Sequence, residues 1–580
     1  MVINMGKCKF ENTLNRLRKS SSDSIDNTEI FDEFKKYMHV TRSAEDDLKE
    51  LLRNVNSSGK KSLVLLCGSA GDGKSHLLSY LKNYDEENLL ENYTIYNDAT
   101  ESSSPLKTAI DTLNDLLEDF RDTNINRYGN NIILAINLGV LSNFIESEYG
   151  VNYSLLRNYV ADRNILSNKL NIKTFDFDSH FHHVSFSDYH MYSLNENGIH
   201  AGYIEEIFDK IFNNSIDNPF YYSYLNSCGT CPLSIKCPIK ANYELYSIRN
   251  IRKYVAELLI KSTIEDKLIL TTREILNFIY DSLISKEFNY SELYKLIVND
   301  MEYLKNYINQ ITPNLLFDST DVSVLMNTLK KYDPLLVRSE HSDEEAISFY
   351  VSSNVSDYIK NSFDALPYGK VVCDDETLSR INLDKSTKSS IYNTIVRIDD
   401  LDINEIGNDV FDEFIKYLYY FNSGQKNKLG GLYSLVENAL VQWCGSIDDG
   451  LLCLDDNNDD YAIYEKIIFI ASVSHIDEPE FKDELFRFRP SIIVAFEDKS
   501  KEGEKIFLDI DFSLFSLLYK LNKGYIQTAD DRNNHADFIS FINRILQSGK
   551  LNESITIMTN EGNRVEIMQN MFGYKFKVVK

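Results

Sequence analysis

Gly68-Ser69-Ala70-Gly71-Asp72-Gly73-Lys74-Ser75 satisfies the pattern G-x-x-x-x-G-K-[ST], and the apolar run Ser62-Leu63-Val64-Leu65-Leu66-Cys67 leads straight into it. The spacing suits a phosphate-binding loop. Glycines let backbone N–H groups turn inward on phosphate oxygens, Lys74 reaches the terminal phosphates, and the Ser75 hydroxyl ligates Mg2+. His76-Leu77-Leu78-Ser79-Tyr80-Leu81 continues as the helix whose N-terminus completes the anion site. A buried strand before the motif and a helix after it distinguish this loop from an ordinary glycine-rich turn. ATP with Mg2+ is the expected ligand of residues Gly68 to His76.

Hydrolysis at such a loop needs a carboxylate to hold Mg2+ through water and a polar group to orient the attacking water. The acidic pair belongs at the end of the third strand, yet that strand ends Ala135-Ile136-Asn137-Leu138-Gly139. Asn137 orients a water without supplying charge. The nearest carboxylates at other strand ends are Asp98 and Glu101 after the second strand and Asp188 after the fourth. Both positions lie at the edge where open parallel sheets bind ligands. Helix capping is the plainer role for the two aspartates. Arg273, in Thr271-Thr272-Arg273-Glu274, opens a helix with Thr as N-cap, and an arginine there can stabilise charge on a γ-phosphate. The catalytic set expected is therefore Asp98, Asn137, Asp188 and Arg273, with Arg249 and Arg252 behind Arg273 as second choices.

The eight cysteines, Cys8, Cys67, Cys228, Cys231, Cys237, Cys373, Cys444 and Cys453, are too few and too uneven for a disulfide scaffold. Three of them cluster. Cys228-x2-Cys231-x5-Cys237, with Pro232 and Pro238 beside them, puts three soft ligands on a tight turn. Structural Zn2+ takes four ligands, and an iron–sulfur cluster needs about four thiolates as well. The fourth is not adjacent; His182, His183 and His200 are donors from a distance. A structural zinc that staples a short insertion is the expectation, against three free thiols.

The elements that position these residues follow from hydrophobic periodicity. Tyr93 to Asn97, Asn131 to Asn137 and His182 to Asp188 read as further strands, with a helix from about Leu106 to Phe120 between two of them. Strands alternating with helices after the loop predict an α/β fold: a P-loop NTPase sheet, parallel and AAA-like. An all-α lid, a helical region and an α+β C-terminal domain follow it. The divisions drawn from pattern are an N-terminal helical lead at 1–60, a core at 61–215 and a helical lid with the cysteine insertion at 216–310. A helical domain spans 311–455, and the α+β domain spans 456–580, where Tyr461 to Ser472, Pro490 to Phe496 and Ser554 to Met558 have strand composition.

A 580-residue chain exceeds one core and implies several domains. No apolar stretch approaches the roughly 20 residues of a membrane span, and Met1 to Lys7 carries no signal-peptide core, so a cytoplasmic protein is expected. The net charge of -27 argues against a surface that coats nucleic acid as a whole. It leaves room for a local basic groove. Lys7, Lys9, Arg16, Arg18 and Lys19, opposed by Glu11, and the pair Lys426 and Lys428 are candidate phosphate contacts, with solvated faces as the plainer reading.

In combination, Leu66 to Ser75, the strand end Asn97-Asp98-Ala99-Thr100-Glu101, the strand end Ile136-Asn137-Leu138-Gly139 and the Cys-x2-Cys-Pro-x4-Cys-Pro insertion resemble the DptF family. That family is the ATPase component of bacterial DNA phosphorothioation-dependent restriction systems. The resemblance runs over residues 35–285 and more loosely beyond. It implies an antiphage defence protein that works with DptG-like and DptH-like partners against DNA lacking the phosphorothioate mark, reaching DNA through that complex. A nuclease site of its own is a further reading, since Glu497-Asp498-Lys499 ends an apolar strand with Asp483 upstream, and two carboxylates and a lysine can hold Mg2+. The upstream acidic strand is missing, and a charged turn is the plainer account. Two other functions stay open: a nucleotide-dependent scaffold without significant hydrolysis, and a signalling ATPase with no DNA role.

Overall fold

A computed structural model describes residues 8–22, 33–69, 71–97, 108–166, 175–289, 301–336, 340–352, 355–374, 378–379, 385–402, 409–445, 451–455, 460–466, 469–477, 483–498, 503–548, 554–570 and 573–579. The chain forms two compact units. The first comprises Met1–Ser193 and Ala201–Ile406, the second Leu194–His200 and Gly407–Lys580.

The centre of the first unit is a four-stranded, all-parallel sheet. Its strands are β1 (Leu63–Cys67), β2 (Tyr93–Tyr96), β3 (Asn131–Ile136) and β4 (Phe181–Ser185), in the order β2-β3-β1-β4. Register sets Leu65 of β1 beside Leu134 on one side and His183 on the other. Every residue of β1 is buried, as a strand covered on both faces requires. Alternation along β1 sorts the core into two layers. Leu63, Leu65 and Cys67 pack with Leu113, Phe144 and Leu156. Val64 and Leu66 pack with Leu48, Leu51, Leu77 and Leu81.

Helices α1 (Lys9–Ser22), α2 (Glu33–Met38) and α3 (Ser43–Ser58) precede β1, and α4 (Lys74–Tyr84) follows it. α3 and α4 cover the Val64 face. Helices α5 (Ala109–Leu116), α6 (Leu138–Glu146) and α7 (Ser154–Asp162) cover the other. The helix expected from Leu106 to Phe120 is α5 plus a single 3-10 turn at Glu118–Phe120, with 106–107 outside the described residues. The strand expected to run on to Asp188 stops at Ser185; a 3-10 turn, Phe186–Asp188, intervenes before β5 (Tyr189–Asn195).

Beyond β6 (Gly198–His200), the first unit is helical: α8 (Gly202–Phe212), α9 (Pro219–Cys228), α10 (Pro238–Tyr246), α11 (Arg249–Asp266) and α12 (Thr272–Leu283), with more helices to Asp402. One buried asparagine ties four segments together. Asn242 donates to the carbonyls of Leu283 and Gln310, both at 2.9 Å, and its oxygen accepts from Thr312 N–H at 2.8 Å and Tyr368 O–H at 3.0 Å. With donors and acceptor all engaged, burial of this amide costs little, and it specifies how the helices meet.

The second unit is mixed. Leu194–His200 joins β10 (Glu484–Arg487) in a three-stranded sheet, after β7 (Leu451–Asp455), β8 (Tyr461–Lys466) and β9 (Ala471–Ser472) in sequence. Strands β11 (Ile492–Glu497) and β12 (Lys505–Ile510) form an antiparallel pair flanked by β9. A five-stranded sheet runs β15-β14-β13-β8-β7, with β13 (Ser554–Thr559), β14 (Arg564–Asn570) and β15 (Gly573–Val579). Among the described residues no helix is long and apolar enough to cross a membrane.

Candidate functional site

The glycine loop leaves β1 at the end of the sheet and re-enters the fold as α4. The Gly68 N–H donates to the Ile136 carbonyl at 3.2 Å, so the loop is anchored on the last residue of β3. Gly71 and Gly73 have φ of +92° and +90°, values that side-chain-bearing residues rarely adopt. The Lys74 ammonium donates to the carbonyls of Gly68 at 2.8 Å and Ser69 at 2.6 Å. Asp72 folds its carboxylate back onto the loop and accepts the Ser69 N–H at 2.5 Å. Burial raises the Asp72 carboxyl above its usual range, against the pull of Lys74, the Ser69 N–H and Arg42. A carboxylate thus occupies a loop N–H of the kind that binds phosphate. The Ser75 hydroxyl donates to the Asn97 carbonyl at 3.3 Å, which brings the end of β2 to the serine. Ala70 lies outside the described residues.

Two elements close over the loop. Arg42, just before α3, donates to the Asp72 carbonyl at 2.8 Å and to the Tyr189 carbonyl at 3.3 Å, with its guanidinium against the rings of Phe186 and Tyr203. The other is the start of α12. A side-chain carbon on Gly71 would lie 3.3 Å from Thr271 Oγ1 and 3.4 Å from Arg273 Cβ. Helix α12 begins there because Thr271 and Glu274 form a reciprocal capping box, Glu274 N–H to Thr271 Oγ1 at 3.3 Å and Thr271 N–H to Glu274 Oε2 at 2.8 Å. The expected N-cap is in place, and Arg273 is carried to the loop.

The other expected residues fare differently. Asn137 sits at the end of β3, exposed, with its oxygen accepting the Gly139 N–H at 2.8 Å as the N-cap of α6. Asp188 lies in the turn after β4, near enough to Cys67 that, after burial, it helps push that thiol up to about 12. Asp98 and Glu101 lie outside the described residues. Arg252 is committed to the Tyr246 carbonyl at 2.7 Å and Asp209 at 2.8 Å, away from the loop, and Arg249 is exposed at the start of α11.

A half-buried chain of titratable groups beside the loop has no signature in the sequence. His76 Nε2 lies 3.2 Å from His39 Nδ1, and His39 Nε2 lies 3.1 Å from Glu45 Oε2. Tyr80 stacks on His39 with centroids 3.5 Å apart, and Lys49 bonds Glu45 at 2.7 Å. Burial pushes His76 down to about 4, helped by His39. Burial works to raise Glu45, but His39 and Lys49 outweigh it and hold the carboxyl low. The His76 side chain lies against His39, which precedes α3. Only helical spacing between Ala44, Leu48 and Leu51 hinted that Glu45 lies on a buried face.

The cysteine cluster forms at a helix junction. Cys228 ends α9, the Cys231 N–H donates to the Cys228 carbonyl at 3.3 Å, and Cys237 precedes α10, whose first residue is Pro238. All three line one cavity of about 240 Å³, and a fourth cysteine, Cys8, lines it too. Among the described residues no group of three or more His, Cys, Asp or Glu side chains is drawn together as a metal-holding set. The histidines considered as fourth ligands are engaged elsewhere. His182 and His183 are buried in β4, His182 stacked on Phe175 and His183 bonded to Tyr159 O–H at 2.8 Å; His200 pairs with Glu484 at 2.7 Å.

Three of the candidate basic residues have partners within the fold. Arg16 sits 3.8 Å from the centre of the Phe34 ring, Arg18 faces Tyr280, and Lys428 pairs with Glu196 at 3.2 Å beside Tyr420. Lys7 and the Lys19 side chain lie outside the described residues. Glu497 is exposed at the end of β11 opposite Lys505, in an antiparallel pair, which agrees with a charged hairpin; Lys499 is outside the described residues. Comparison with protein-family models, curated proteins and solved structures finds no match for this chain.

Proposed function

We propose that this chain is an AAA-like P-loop ATPase that binds ATP and Mg2+ at residues 68–75. The observation that carries the reading is the Ser75 hydroxyl at the end of β2, on a loop that joins a fully buried central strand to a helix. Loop N–H groups and the Lys74 ammonium fit phosphate oxygens, and the Ser75 hydroxyl would help hold Mg2+, which would supply charge neutralisation for the phosphates. To take phosphate, Lys74 exchanges the carbonyls of Gly68 and Ser69 for anionic oxygens, and Asp72 releases the Ser69 N–H.

Asn97 is followed directly by Asp98, about 3.8 Å along the chain. Asp98 is therefore the carboxylate we assign to the metal's water shell, in place of the acidic pair missing from β3. Asn137 orients the attacking water, Asp188 supplies a second carboxylate, and Arg273 meets charge on the γ-phosphate. Rearrangement of α12 on nucleotide binding would pass the state of the loop to the helices behind it.

The restriction role rests on the resemblance of these same loop, strand-end and cysteine segments to the DptF family. In that role the chain gates a complex with DptG-like and DptH-like proteins on unmodified DNA. A second reading, a nucleotide-dependent scaffold with little hydrolysis, is favoured by Asn137 being spent on a cap and by the carboxylate closing the loop. ATP turnover separates the two, measured on the intact chain, Lys74→Ala and Asp98→Asn, alone and with partners and DNA. Turnover that both variants abolish supports the enzyme. Nucleotide binding without Lys74-dependent turnover in any mixture supports the scaffold. Turnover indifferent to DNA and its modification, with no partner recovered in a pull-down, would remove the restriction role.

A further inference from the structure

Four of the chain's eight cysteines converge from two distant parts of the sequence. Cys228, Cys231 and Cys237 come from the α9–α10 junction, and Cys8 comes from the residue before α1. The position of Cys8 is set by how α1 docks. Phe10, 1% exposed, packs edge-on against Tyr224 of α9 and Tyr243 of α10, with ring centres 5.8 and 5.0 Å apart. One turn on, Thr13 Oγ1 and Ser223 Oγ share a hydrogen bond of 2.8 Å. These contacts hold the start of α1 over the end of α9, and all four cysteines line one cavity of about 240 Å³. None of the four is in a disulfide.

We propose that Cys8, Cys228, Cys231 and Cys237 form a tetrathiolate metal centre, filled by a single Zn2+ or by an iron–sulfur cluster. Both groups take four cysteine thiolates, and the Cys-x2-Cys pair supplies the tight turn common to such sites. No carboxylate lines the cavity, which suits a soft cation and not a hard one. Cys8 and Cys231 are part-buried, while Cys228 and Cys237 are buried.

The centre fastens α1 to the insertion. Because Arg18 of α1 also faces Tyr280 of α12, it supports the helix whose first turn meets the glycine loop.

The test is metal analysis of the full chain, purified without oxygen from cells supplied with zinc and iron. About one zinc per chain, or about four irons with matching acid-labile sulfide, is expected. Cys8→Ser loses that metal as fully as Cys231→Ser does, whereas Cys453→Ser, in the second unit, keeps it. Cys8→His, which restores a ligand, retains more metal than Cys8→Ser at equal folded content by circular dichroism. A metal-free wild-type chain overturns the proposal. So does a Cys8→Ser protein that keeps its metal while Cys231→Ser loses it, or equal content in the Ser and His variants.

Discussion

Asp72 is the residue through which the glycine loop can be tuned. Its carboxylate accepts the Ser69 N–H at 2.5 Å, inside a loop whose N–H groups are proposed to take phosphate, and the residue is 7% exposed. A phosphate entering the loop must break this charge-assisted bond, which costs about 2 kcal/mol. It must also approach a carboxylate of like charge. Asp72→Asn removes the charge and keeps an oxygen that can accept from Ser69, whereas Asp72→Ala removes both. With about 1.4 kcal/mol per tenfold change, Asp72→Ala is expected to tighten ATP binding by about 30-fold. The Asn variant should fall between it and wild type. The sign with pH follows from burial. The folded carboxyl is raised, so its charged form costs stability above the folded value and that cost disappears as pH falls. The Asn variant should therefore match or exceed wild type in thermal midpoint at neutral pH, and the affinity gap should narrow on acidification. Titration calorimetry with ATP and Mg2+ at several pH values measures both. Variants that bind ATP no better than wild type, with an unchanged thermal midpoint, would refute the idea that Asp72 competes with phosphate.

Arg273→Ala should lower ATP turnover at least about tenfold while leaving the dissociation constant for ATP within a few-fold, because charge on the γ-phosphate is met chiefly in the transition state; unchanged steady-state turnover would remove Arg273 from the site. Arg397 is 4% exposed and holds Asp318 through two bonds of 2.8 Å and Asp333 through bonds of 3.1 and 2.6 Å. Arg397→Met leaves Asp333 buried without its cation and should cost about 3–5 kcal/mol, read as a lower midpoint in the denaturant unfolding of the first unit. Adding Asp333→Asn should recover part of the loss, and no recovery would mean the pair is not the cause. His182 is 1% exposed, stacks on Phe175 and is pushed down to about 4 by burial. Because the unfolded ring titrates near 6.5, its contribution is full above that pH and is lost as pH falls toward 4, by about 3 kcal/mol at most. His182→Phe keeps the stack and should flatten the decline of thermal midpoint across that window; an unaltered slope would count against it.

What was legible from sequence divides along the range of the interaction concerned. The capping box at Thr271 and Glu274 is a relation between residues three apart, so the spacing alone located the start of α12. β1 was legible because a strand buried on both faces is apolar at every position. Strand order has no such local trace. Chain order makes β3 the third strand and so places the expected acidic pair at its end. β3 does lie beside β1, yet the serine hydroxyl of the loop meets the end of β2, one strand further out. Asp98 follows Asn97 directly in the chain, and no local pattern announces the contact of Asn97 with Ser75. Cys8 has no local mark either. Ligand spacing identifies cysteines that share a turn, but a ligand delivered by a docked helix is marked only by the packing of Phe10, Thr13 and their partners. Glu45 and His39 carry no sequence mark because a buried carboxylate and its partner look, in sequence, like any polar residues; the stack of Tyr80 on His39 and the contact with His76 come only from packing. The pattern of the loop at Gly68 is local, and so is the Asp72 contact with Ser69, whereas the contacts of Arg42 and Arg273 with the loop and of His39 with His76 are assembled by tertiary packing.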